Sequence, residues 1–436
     1  MTIRGSQIGN ASASEASIPK RPKIFYGWYI VGAAAVNGLT NFAIFSIGQA
    51  LFVKDVRDSF HWSLTAISLG FSIRTLEQGL LSPVGGFMID RFGPRVMAIS
   101  GSVVMTLGLL NFVFMHHLWQ FYLSSVTIAL GQGLGAGQAY INPVVFWFNR
   151  KRGRASAVIA MVRGWAYVAV LPMSLLLVQF GWRKAAFFAA IAYLILSIPC
   201  ALVLRPRPEP YGFLPDGDPP RTNPGVEAGA KSQAPEAEGF GVREAVRTRA
   251  FWMLLIGTTI YGYGSSSYQV HFLSHLRFTG FSTSTAGLIF SVYGIIQVIS
   301  RLVTGWAGDR FGRTNMMIVS QLMMGAGWVA MAFITPATFW FTVPFFYICY
   351  GLGQAAYIVG QQVIVADYFG PRRFASIRGL MSPISVIGSI FGPIVAGFSY
   401  DHFETYRPAF LILAPLIALG ALTLKLAGKP KMARRA

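Results

Sequence analysis

Four charged residues lie deep inside long apolar stretches of the sequence: Arg74, Glu77, Arg163 and Arg301. An arginine guanidinium keeps its charge at physiological pH, and its planar fork of donors matches the two oxygens of a carboxylate. A carboxyl group in apolar surroundings can take up and release a proton near neutral pH. These residue types indicate binding of a small organic anion, with Glu77 as a candidate proton carrier.

The elements that carry these residues are predicted to cross a membrane. Hydrophobic residues make up 54% of the chain and charged residues only 12%, whereas an average soluble domain has about 25% charged residues. Each apolar stretch is long enough, at 1.5 Å per residue, to span a hydrocarbon layer of about 30 Å. The twelve predicted spans are 28–52, 64–88, 96–115, 118–148, 155–180, 184–204, 250–275, 283–307, 314–335, 338–366, 375–399 and 406–427.

The net charge is +20, and the positions of the Lys and Arg residues indicate a membrane protein rather than one that binds nucleic acid. With the N-terminus in the cytoplasm, most Lys and Arg residues fall in the cytoplasmic loops and tails, which is the positive-inside bias. The opposite loops hold only Lys54, Arg57, Arg183, Lys184, Arg277 and Arg407. We therefore predict a multi-pass protein of the cell (inner or plasma) membrane with both termini in the cytoplasm and no nucleic-acid partner.

Charges inside the spans need an explanation, because each costs about 2.5 to 3.5 kcal/mol on insertion scales and so faces a partner or an aqueous cavity. Arg301 lies roughly 10 Å inside the cytoplasmic end of its span, and Arg163 lies at a similar depth. An interhelical ion pair or a snorkelling side chain is the alternative for Arg301. Glu77 follows Arg74 by three residues on one helical face. Two roles are therefore open for Glu77: a proton carrier, or the partner of Arg74 in a simple ion pair within the helix.

The chain divides into two similar halves. A polar, Pro-containing stretch at 205–249 predicts a flexible cytoplasmic linker. When the chain is shifted by 219 residues, Gly-Phe-Met-Ile-Asp-Arg-Phe-Gly at 86–93 falls on Gly-Trp-Ala-Gly-Asp-Arg-Phe-Gly at 305–312. A duplicated six-helix unit is typical of transporters that rock one half against the other. The predicted units are tails at 1–27 and 428–436 and six-helix bundles at 28–204 and 250–427.

The two Asp-Arg-Phe-Gly loops resemble the signature loop of the major facilitator superfamily, and the resemblance covers nearly the whole chain. A narrower resemblance is to the branch that holds the monocarboxylate transporters and the oxalate/formate exchangers. It rests on Tyr26-Gly27-Trp28, on Trp147-Phe148-Asn149-Arg150-Lys151-Arg152 and on the Arg late in span 8. The resemblance implies an all-α membrane protein of the major facilitator fold, with twelve transmembrane helices in two pseudo-symmetric six-helix bundles.

The resemblance also implies roles for particular residues. The corresponding Arg of span 8 is the substrate anchor in the monocarboxylate branch, which implies this role for Arg301. Spans 5 and 8 are neighbours in the superfamily arrangement, so Arg163 is a second candidate, and its role stays open. The residues implied to close and release the cytoplasmic gate are Asp90, Arg91, Asp309 and Arg310.

Departures from the family leave the coupling ion open. The span 1 Lys of proton-coupled members falls at Ser46, and the acid one turn before Arg301 is Gln297. The span 11 Lys of the exchangers has no counterpart, because 379–399 contains no charged residue. Proton-coupled transport, exchange and uniport all remain, with Glu77 and Arg74 as the proton-coupling candidates.

Amide and phenol groups in the cavity-forming spans could orient a small polar ligand. Ordinary hydrogen bonding between helices accounts for most such groups. Three are selected as further substrate-binding candidates: Asn41, Gln354 and Tyr357.

We therefore predict a monomeric secondary transporter of a small mono- or dicarboxylate, working by alternating access without a cofactor or a metal. The alternative of another class is a membrane-embedded enzyme or receptor. Against an enzyme, the spans contain no Gly-x-Ser-x-Gly elbow, metal triad or paired carboxylates. Against a receptor, the sequence has no sizeable soluble sensing domain.

Overall fold

A computed structural model of the chain describes residues 25–211, 213–217, 239–370 and 373–430. These residues form helices joined by short connections, and no strand occurs among them, which confirms the predicted all-α class. The predicted tails before residue 25 and after residue 430, and the centre of the predicted linker at 218–238, lie outside the described residues.

The first half contains six helical spans, α1 to α6. They are α1 (Gly27–Phe60), α2 (Leu64–Phe92), α3 (Pro94–Val113), α4 (Leu118–Gly131, Gln132–Ala136 and Gln138–Trp147), α5 (152–180) and α6 (182–203). A turn at Gly181, whose φ is 77°, separates α5 from α6. α1 extends eight residues beyond its predicted end, as far as the turn at His61, whose φ is 55°.

The second half repeats this arrangement after a short helix at Val242–Val246. Its spans are α7 (Arg249–Phe278), α8 (Thr283–Phe311), α9 (Arg313–Ala332), α10 (Phe339–Phe346, Tyr347–Gly351 and Leu352–Phe369), α11 (Phe374–Phe403) and α12 (Arg407–Ala427). Both ends of the described chain lie on one side, which we call the termini face, and the other side is the opposite face.

Eight helices of the described chain are individually long and apolar enough to cross a membrane. One of them, Trp165–Val203, contains the end of α5 and all of α6, so the eight account for nine spans. The remaining spans are α2, α4 and α7. α4 is interrupted by a wide turn, and α2 and α7 carry many polar residues.

The pseudo-symmetry of the halves is visible in the ends of α2 and α8. Ser63 accepts a hydrogen bond from the backbone of Ala66 at 3.1 Å and so begins α2, and Ser282, 219 residues later, begins α8 in the same way. Both helices end at a glycine, Gly93 and Gly312, and each glycine has a φ of 84°. Caps of this kind satisfy the first free N–H groups of a helix. The repeat predicted from the two Asp-Arg-Phe-Gly motifs therefore extends to local geometry.

Several spans are locally irregular where the sequence predicts continuous helices. π-helical turns occur at Phe42–Gly48 in α1, at Gln132–Ala136 in α4 and at Tyr347–Gly351 in α10, and a 3-10 turn occurs at Trp165–Tyr167 in α5. π-Turns are rare in proteins and are frequent at functional sites. These irregular turns lie within the spans, away from the ends of their helices.

The two halves are joined near the opposite face. Arg277 of α7 forms an ion pair with Asp55 of α1, in which Nη2 lies 3.0 Å from Oδ1. Asp401 of α11 accepts hydrogen bonds from the backbone N–H groups of Leu64 and Thr65, both at 2.8 Å, at the start of α2. These contacts close the opposite face.

Close packing of α5 against α8 continues this contact to about the middle of the membrane. The hydroxyl of Ser291 donates to the carbonyl of Tyr167 at 3.2 Å. A Cβ at Gly294 would lie 2.1 Å from the Cβ of Tyr167, and a Cβ at Gly164 would lie 2.7 Å from a methyl of Val298. Only glycine allows this approach of α5 to α8.

The described ends of the 205–249 segment make specific contacts, which the prediction of a flexible linker did not anticipate. The guanidinium of Arg205 lies 3.9 Å from the ring centre of Tyr26 and 4.2 Å from that of Tyr211. The Asp216 carboxylate accepts hydrogen bonds from three consecutive backbone N–H groups, at residues 149–151 between α4 and α5. The segment is therefore attached to the termini face of the first half.

Candidate functional site

A cavity of about 500 Å³ lies between the two halves. Residues of α1, α4 and α5 line it from the first half, and residues of α7, α8 and α10 line it from the second. Ile141 of α4 is 53% exposed although it lines the cavity. The cavity therefore opens toward the termini face, because the halves are closed at the opposite face.

Arg301 of α8 lines this cavity, as its predicted role requires. Its Nε atom is buried and makes no hydrogen bond within the described chain. A buried charged donor without an acceptor is costly, and an anion that enters the cavity would supply the missing acceptor. Arg301 therefore lies beside the cavity with a buried donor that lacks an acceptor in the described chain.

Gln354 of α10 also lines the cavity, and a network behind it fixes its amide. Its Oε1 accepts a hydrogen bond from Gln297 Nε2 at 3.0 Å and another from the hydroxyl of Tyr293. The Nε2 group then lies on the cavity side, 3.4 Å from the hydroxyl of Ser265. Gln354 therefore presents a donor, which suits an anionic ligand.

Gln297 stands where proton-coupled relatives were expected to have an acid. In the structure its Nε2 lies 3.0 Å from the carbonyl of Gly351, 2.6 Å from the hydroxyl of Tyr293 and 3.0 Å from Oε1 of Gln354, so its two N–H groups share three acceptors. Its role is to hold α10 at the wide turn Tyr347–Gly351. An amide serves this role without a charge.

Aromatic side chains form much of the apolar wall. Phe42 and Tyr167 pack edge to face, with ring centres 5.7 Å apart and planes at 70°. Tyr167 also lies 5.3 Å from the ring of Phe290. Tyr268 of α7 completes this wall, and its hydroxyl is buried without a partner in the described chain.

Two of the predicted substrate-binding residues lie behind the cavity rather than on its lining. Asn41 accepts a hydrogen bond from Gln132 at 2.9 Å, and its Nδ2 contacts the sulfur of Met105 at 3.6 Å, so it joins α1 to α3 and α4. Tyr357 is fully buried and stacks on Tyr261, with ring centres 4.1 Å apart. Neither residue is among the described residues that line the cavity.

Other predicted site residues lie outside the described part or at the termini face. The side chains of Arg163 and Asp309 are outside the described residues. Asp90 and Arg91 are exposed, and the Arg91 guanidinium lies 5.5 Å from the ring centre of Phe92. Arg310 is likewise exposed, at 5.8 Å from the ring centre of Phe311, so the repeat is kept here too.

The ion pair considered between Arg74 and Glu77 is not formed. Arg74 is buried and instead donates to the side-chain carbonyl of Gln49 in α1. Oε2 of Glu77 is buried without a hydrogen-bond partner among the described residues. The i, i+3 spacing would allow the pair. Instead, Gln49 of α1 binds the Arg74 guanidinium, and Arg74 makes no ion pair with the Glu77 carboxyl.

Sequence reasoning missed several residues that line the cavity, namely Phe42, Tyr167, Ser265 and Gln269, and it missed Gln49 as the partner of Arg74. Phe42 and Tyr167 lie at the irregular turns of α1 and α5, which uniform apolar stretches do not reveal. A Gly followed by Trp165-Ala166-Tyr167 in mid-span was the available signal, because such a cluster is unusual between two runs of small apolar residues.

Comparison with known sequences gives one family. A family model described as Major Facilitator Superfamily matches residues 30–280 and 254–435. Monocarboxylate transporter 11 of Mus musculus is 26% identical over 414 residues, covering 91% of this chain and 86% of that protein. MFS transporter asaE of Aspergillus flavus is 24% identical over 377 residues, covering 83% and 80%. These matches confirm the predicted resemblance to the monocarboxylate transporters.

Comparison with solved structures gives the same fold. The nucleoside transporter NupG superposes with a TM-score of 0.71 at 14% identity, covering 94% of this chain and 100% of that one. A bacterial homologue of the human lysosomal transporter Spinster, in an inward-facing and occupied conformation, gives a TM-score of 0.70 at 16% identity, covering 92% and 96%. At these identities the likeness shows the fold alone, and it confirms the predicted twelve-helix architecture of two bundles.

Proposed function

The chain belongs to the Major Facilitator Superfamily, and from this premise we propose that it is a secondary transporter of small organic anions that carry a carboxylate. It is a membrane transporter and not an enzyme, since the relatives that match most of its length are transporters. The observation that carries the substrate class is Arg301, whose buried Nε has no partner among the described residues and lies beside a cavity of about 500 Å³.

The chemistry of the lining supports a carboxylate in particular. A guanidinium can bind both oxygens of a carboxylate through two parallel N–H donors. The Gln354 amide adds a neutral donor from α10. Arg301 is the principal anchor in this proposal. Arg163 is a second substrate contact, which would allow a dicarboxylate.

Alternating access follows from the way the halves meet. The proposed rocking units are the bundles at 28–204 and 250–427. They are joined at the opposite face by Asp55 with Arg277 and by Asp401 with Thr65, while the cavity opens at the termini face. Rocking the bundles would break these contacts and close the termini face over a bound anion.

The distribution of charge supports an orientation. We place both termini in the cytoplasm of a cell (inner or plasma) membrane, because most Lys and Arg residues lie on that side. The present conformation then opens to the cytoplasm. In the other conformation the exposed Asp90 and Arg91, together with Asp309 and Arg310, would form the ion pairs that close the cytoplasmic gate.

The coupling mechanism is proposed to involve Glu77. Its carboxyl group has a buried oxygen without a partner in the part of the chain that the structure describes, while Arg74 is bound by Gln49. A carboxyl group of this kind can carry a proton across with the substrate. The alternative is exchange or uniport without a proton, in which Glu77 only packs in α2. The protein is proposed to act as a monomer.

Counterflow in proteoliposomes tests the substrate class. Purified protein would be reconstituted with unlabelled carboxylates inside, from oxalate and lactate to phenylacetate, and exchange of each labelled compound would be measured. We expect exchange of at least one carboxylate and its loss in Arg301→Gln. Arg95→Gln is the matched control, because Arg95 is exposed at the termini face, away from the cavity. If wild-type protein exchanges no carboxylate, the proposal is wrong.

A further inference from the structure

We propose that the first half of the protein holds a second binding site, beside Arg74, for a single inorganic anion of the size of chloride. This site is separate from the cavity between the two halves, because no described residue lines both cavities. The inference does not rest on the proposed carboxylate substrate, and it would stand if that substrate class were wrong.

The site is a small cavity between the first four helices. One face of α1, with Gln49 and Val56, and one face of α2, with Ile67 and Arg74, form two of its walls. Residues of α3 and α4, among them Ser125, complete the lining. All four helices belong to the first half. The cavity should therefore keep its lining when the two halves move against each other.

Arg74 brings a positive charge to this cavity that nothing in the described chain compensates. The residue is 8% exposed, and its one hydrogen bond to the described chain goes from Nη1 to the side-chain oxygen of Gln49, a neutral group. A guanidinium has five N–H donors, so the other donors of Arg74 have no acceptor among the described residues. A charge buried in a membrane span without a partner is costly. An anion in the cavity would supply both the acceptor and the opposite charge.

The size of the cavity limits which anion fits. Its free volume is about 10 Å³, which is about what one water molecule needs. A carboxylate attached to a carbon chain does not fit in this space, whereas a chloride ion is only slightly larger than water. A spherical ion can also accept several N–H donors of one guanidinium at once. A single water molecule fits as well, but it leaves the charge of Arg74 uncompensated.

The remaining walls strengthen the attraction between Arg74 and an anion. Val53, Val56, Phe112 and Phe121 are buried apolar residues of the lining, and no described carboxylate lines the cavity. In such surroundings two opposite charges attract each other more strongly than in water. Removing water from the anion costs free energy, and pairing with a cation that is already buried offsets this cost.

Equilibrium dialysis of the detergent-solubilised full chain against radiolabelled chloride tests the proposal. Sodium methanesulfonate keeps the ionic strength constant, because methanesulfonate is a monovalent anion too large for the cavity. We expect about one chloride per chain, the number that the cavity can hold, and a melting temperature that rises with chloride concentration. If no chloride binds and the melting temperature is the same in both salts, the cavity holds only water and the proposal is wrong.

Two arginine variants locate the bound ion. Arg74→Gln removes the charge from the small cavity, so it should weaken chloride binding at least about tenfold and remove the effect of chloride on the melting temperature. Arg301→Gln changes the other cavity and should leave chloride binding as in wild type. If chloride binding is lost in Arg301→Gln and kept in Arg74→Gln, the ion lies between the two halves and the proposal is overturned.

A third variant, Ser125→Val, keeps Arg74 and fills the cavity, so it tests the proposal even if Arg74→Gln does not fold. The Ser125 hydroxyl donates to the carbonyl of Phe121 at 3.0 Å, and valine adds a methyl group to this wall. Chloride binding should weaken at least about tenfold, because the cavity has room for only one small ion. Thr127→Val is the matched control, because Thr127 lies on the same helix and donates to its backbone at 2.7 Å but does not line the cavity. Equal chloride binding in Ser125→Val and Thr127→Val would overturn the proposal.

Discussion

Asp55 of α1 and Arg277 of α7 form an ion pair that joins the two halves of the protein at the face opposite the termini. Nη2 of Arg277 lies 3.0 Å from Oδ1 of Asp55, and Nη1 also donates to the carbonyl of Leu51 at 2.9 Å. Arg277 is buried apart from 9% of its side chain. Because the partners belong to different halves, the pair can exist only while this face is closed.

Breaking this pair should shift the balance between the two conformations. In Asp55→Asn we expect the conformation with the opposite face closed to be destabilised by about 1.5 to 3 kcal/mol, the scale of a hydrogen bond to a charged group. Distances between spin labels on the α1–α2 and α7–α8 turns, in a background without Cys200 and Cys349, would then include a longer population. Asp58→Asn is the control, because Asp58 pairs with Lys54 within α1 at 2.7 Å. Identical distance distributions in Asp55→Asn and wild type would refute the role of the pair.

Substitution of either glycine that ends α2 or α8 should destabilise the folded protein. Gly93 and Gly312 both have a φ of 84° and an extended ψ, a region that other residues adopt only with strain of about 1 to 3 kcal/mol. No described residue lies within 4 Å of a Cβ at Gly93, so the cost is that of the backbone alone. We expect Gly93→Ala and Gly312→Ala to lower the melting temperature to a similar extent.

Gly32→Ala is the control for this comparison. Gly32 lies inside α1, and a Cβ there also meets no atom of the described chain within 4 Å. Alanine is favoured over glycine in a helix by about 1 kcal/mol, so this variant should melt at the same or a higher temperature. A Gly93→Ala variant as stable as Gly32→Ala would mean that the turn does not need a glycine.

The repeated motifs were enough to predict the fold. The shift of 219 residues that aligns the two Asp-Arg-Phe-Gly loops also aligns the caps Ser63 and Ser282, because both signals are local. Arg301 lines the cavity, since a charge in an apolar span has few other places to go, and its role as substrate anchor stays a prediction.

The rest of the site depends on contacts that no local pattern contains. Arg74 is bound by Gln49, which is 25 residues earlier in the chain, rather than by Glu77 on its own helix. Asn41 accepts a hydrogen bond from Gln132 of α4 and is not among the described residues that line the cavity. Tyr167 faces the cavity because α5 tightens into a 3-10 turn at that point. Each outcome is set by packing between helices distant in sequence.

Asp216 should make the stability of the protein depend on pH at acid values. Burial opposes its ionisation, but the three backbone donors at 149–151 and the charge of Arg150 outweigh this and hold the pKa of the carboxyl below its ordinary value of 3.8. A lowered pKa stabilises the folded state at pH values above 3.8, and this contribution is lost as the pH falls through the lower folded pKa.

At pH 7, Asp216→Asn should therefore reduce the free energy of unfolding by about 1 kcal/mol and so lower the melting temperature. The difference in melting temperature between this variant and wild type should shrink as the pH falls toward 3. Asparagine tolerates the φ of 63° at this position, so the backbone is preserved. Glu209→Gln, an exposed change of the same charge in the same segment, should have little effect at either pH. A difference that stays constant from pH 7 to pH 3 would contradict the account of Asp216.

Glu77 should separate driven uptake from exchange. If it carries the proton, Glu77→Gln should abolish accumulation driven by a pH gradient and leave exchange of substrate largely intact, since exchange needs no net change of protonation. The absence of an ion pair with Arg74 makes loss of folded protein a poor expectation for this variant. Accumulation per folded molecule that equals wild type would show that protons, if coupled, use another route.

The affinity of the Arg301→Lys variant for the best-bound carboxylate tests the central claim most directly. Lysine keeps the positive charge but loses the planar fork, so binding should weaken by about 1.5 to 3 kcal/mol, which is roughly 10- to 150-fold in Kd. Calorimetry on variant and wild-type protein of equal melting temperature gives this ratio. A loss within that range is the result that the carboxylate anchor predicts. A Kd equal to that of wild type would contradict the assignment of Arg301 and, with it, the proposed substrate class.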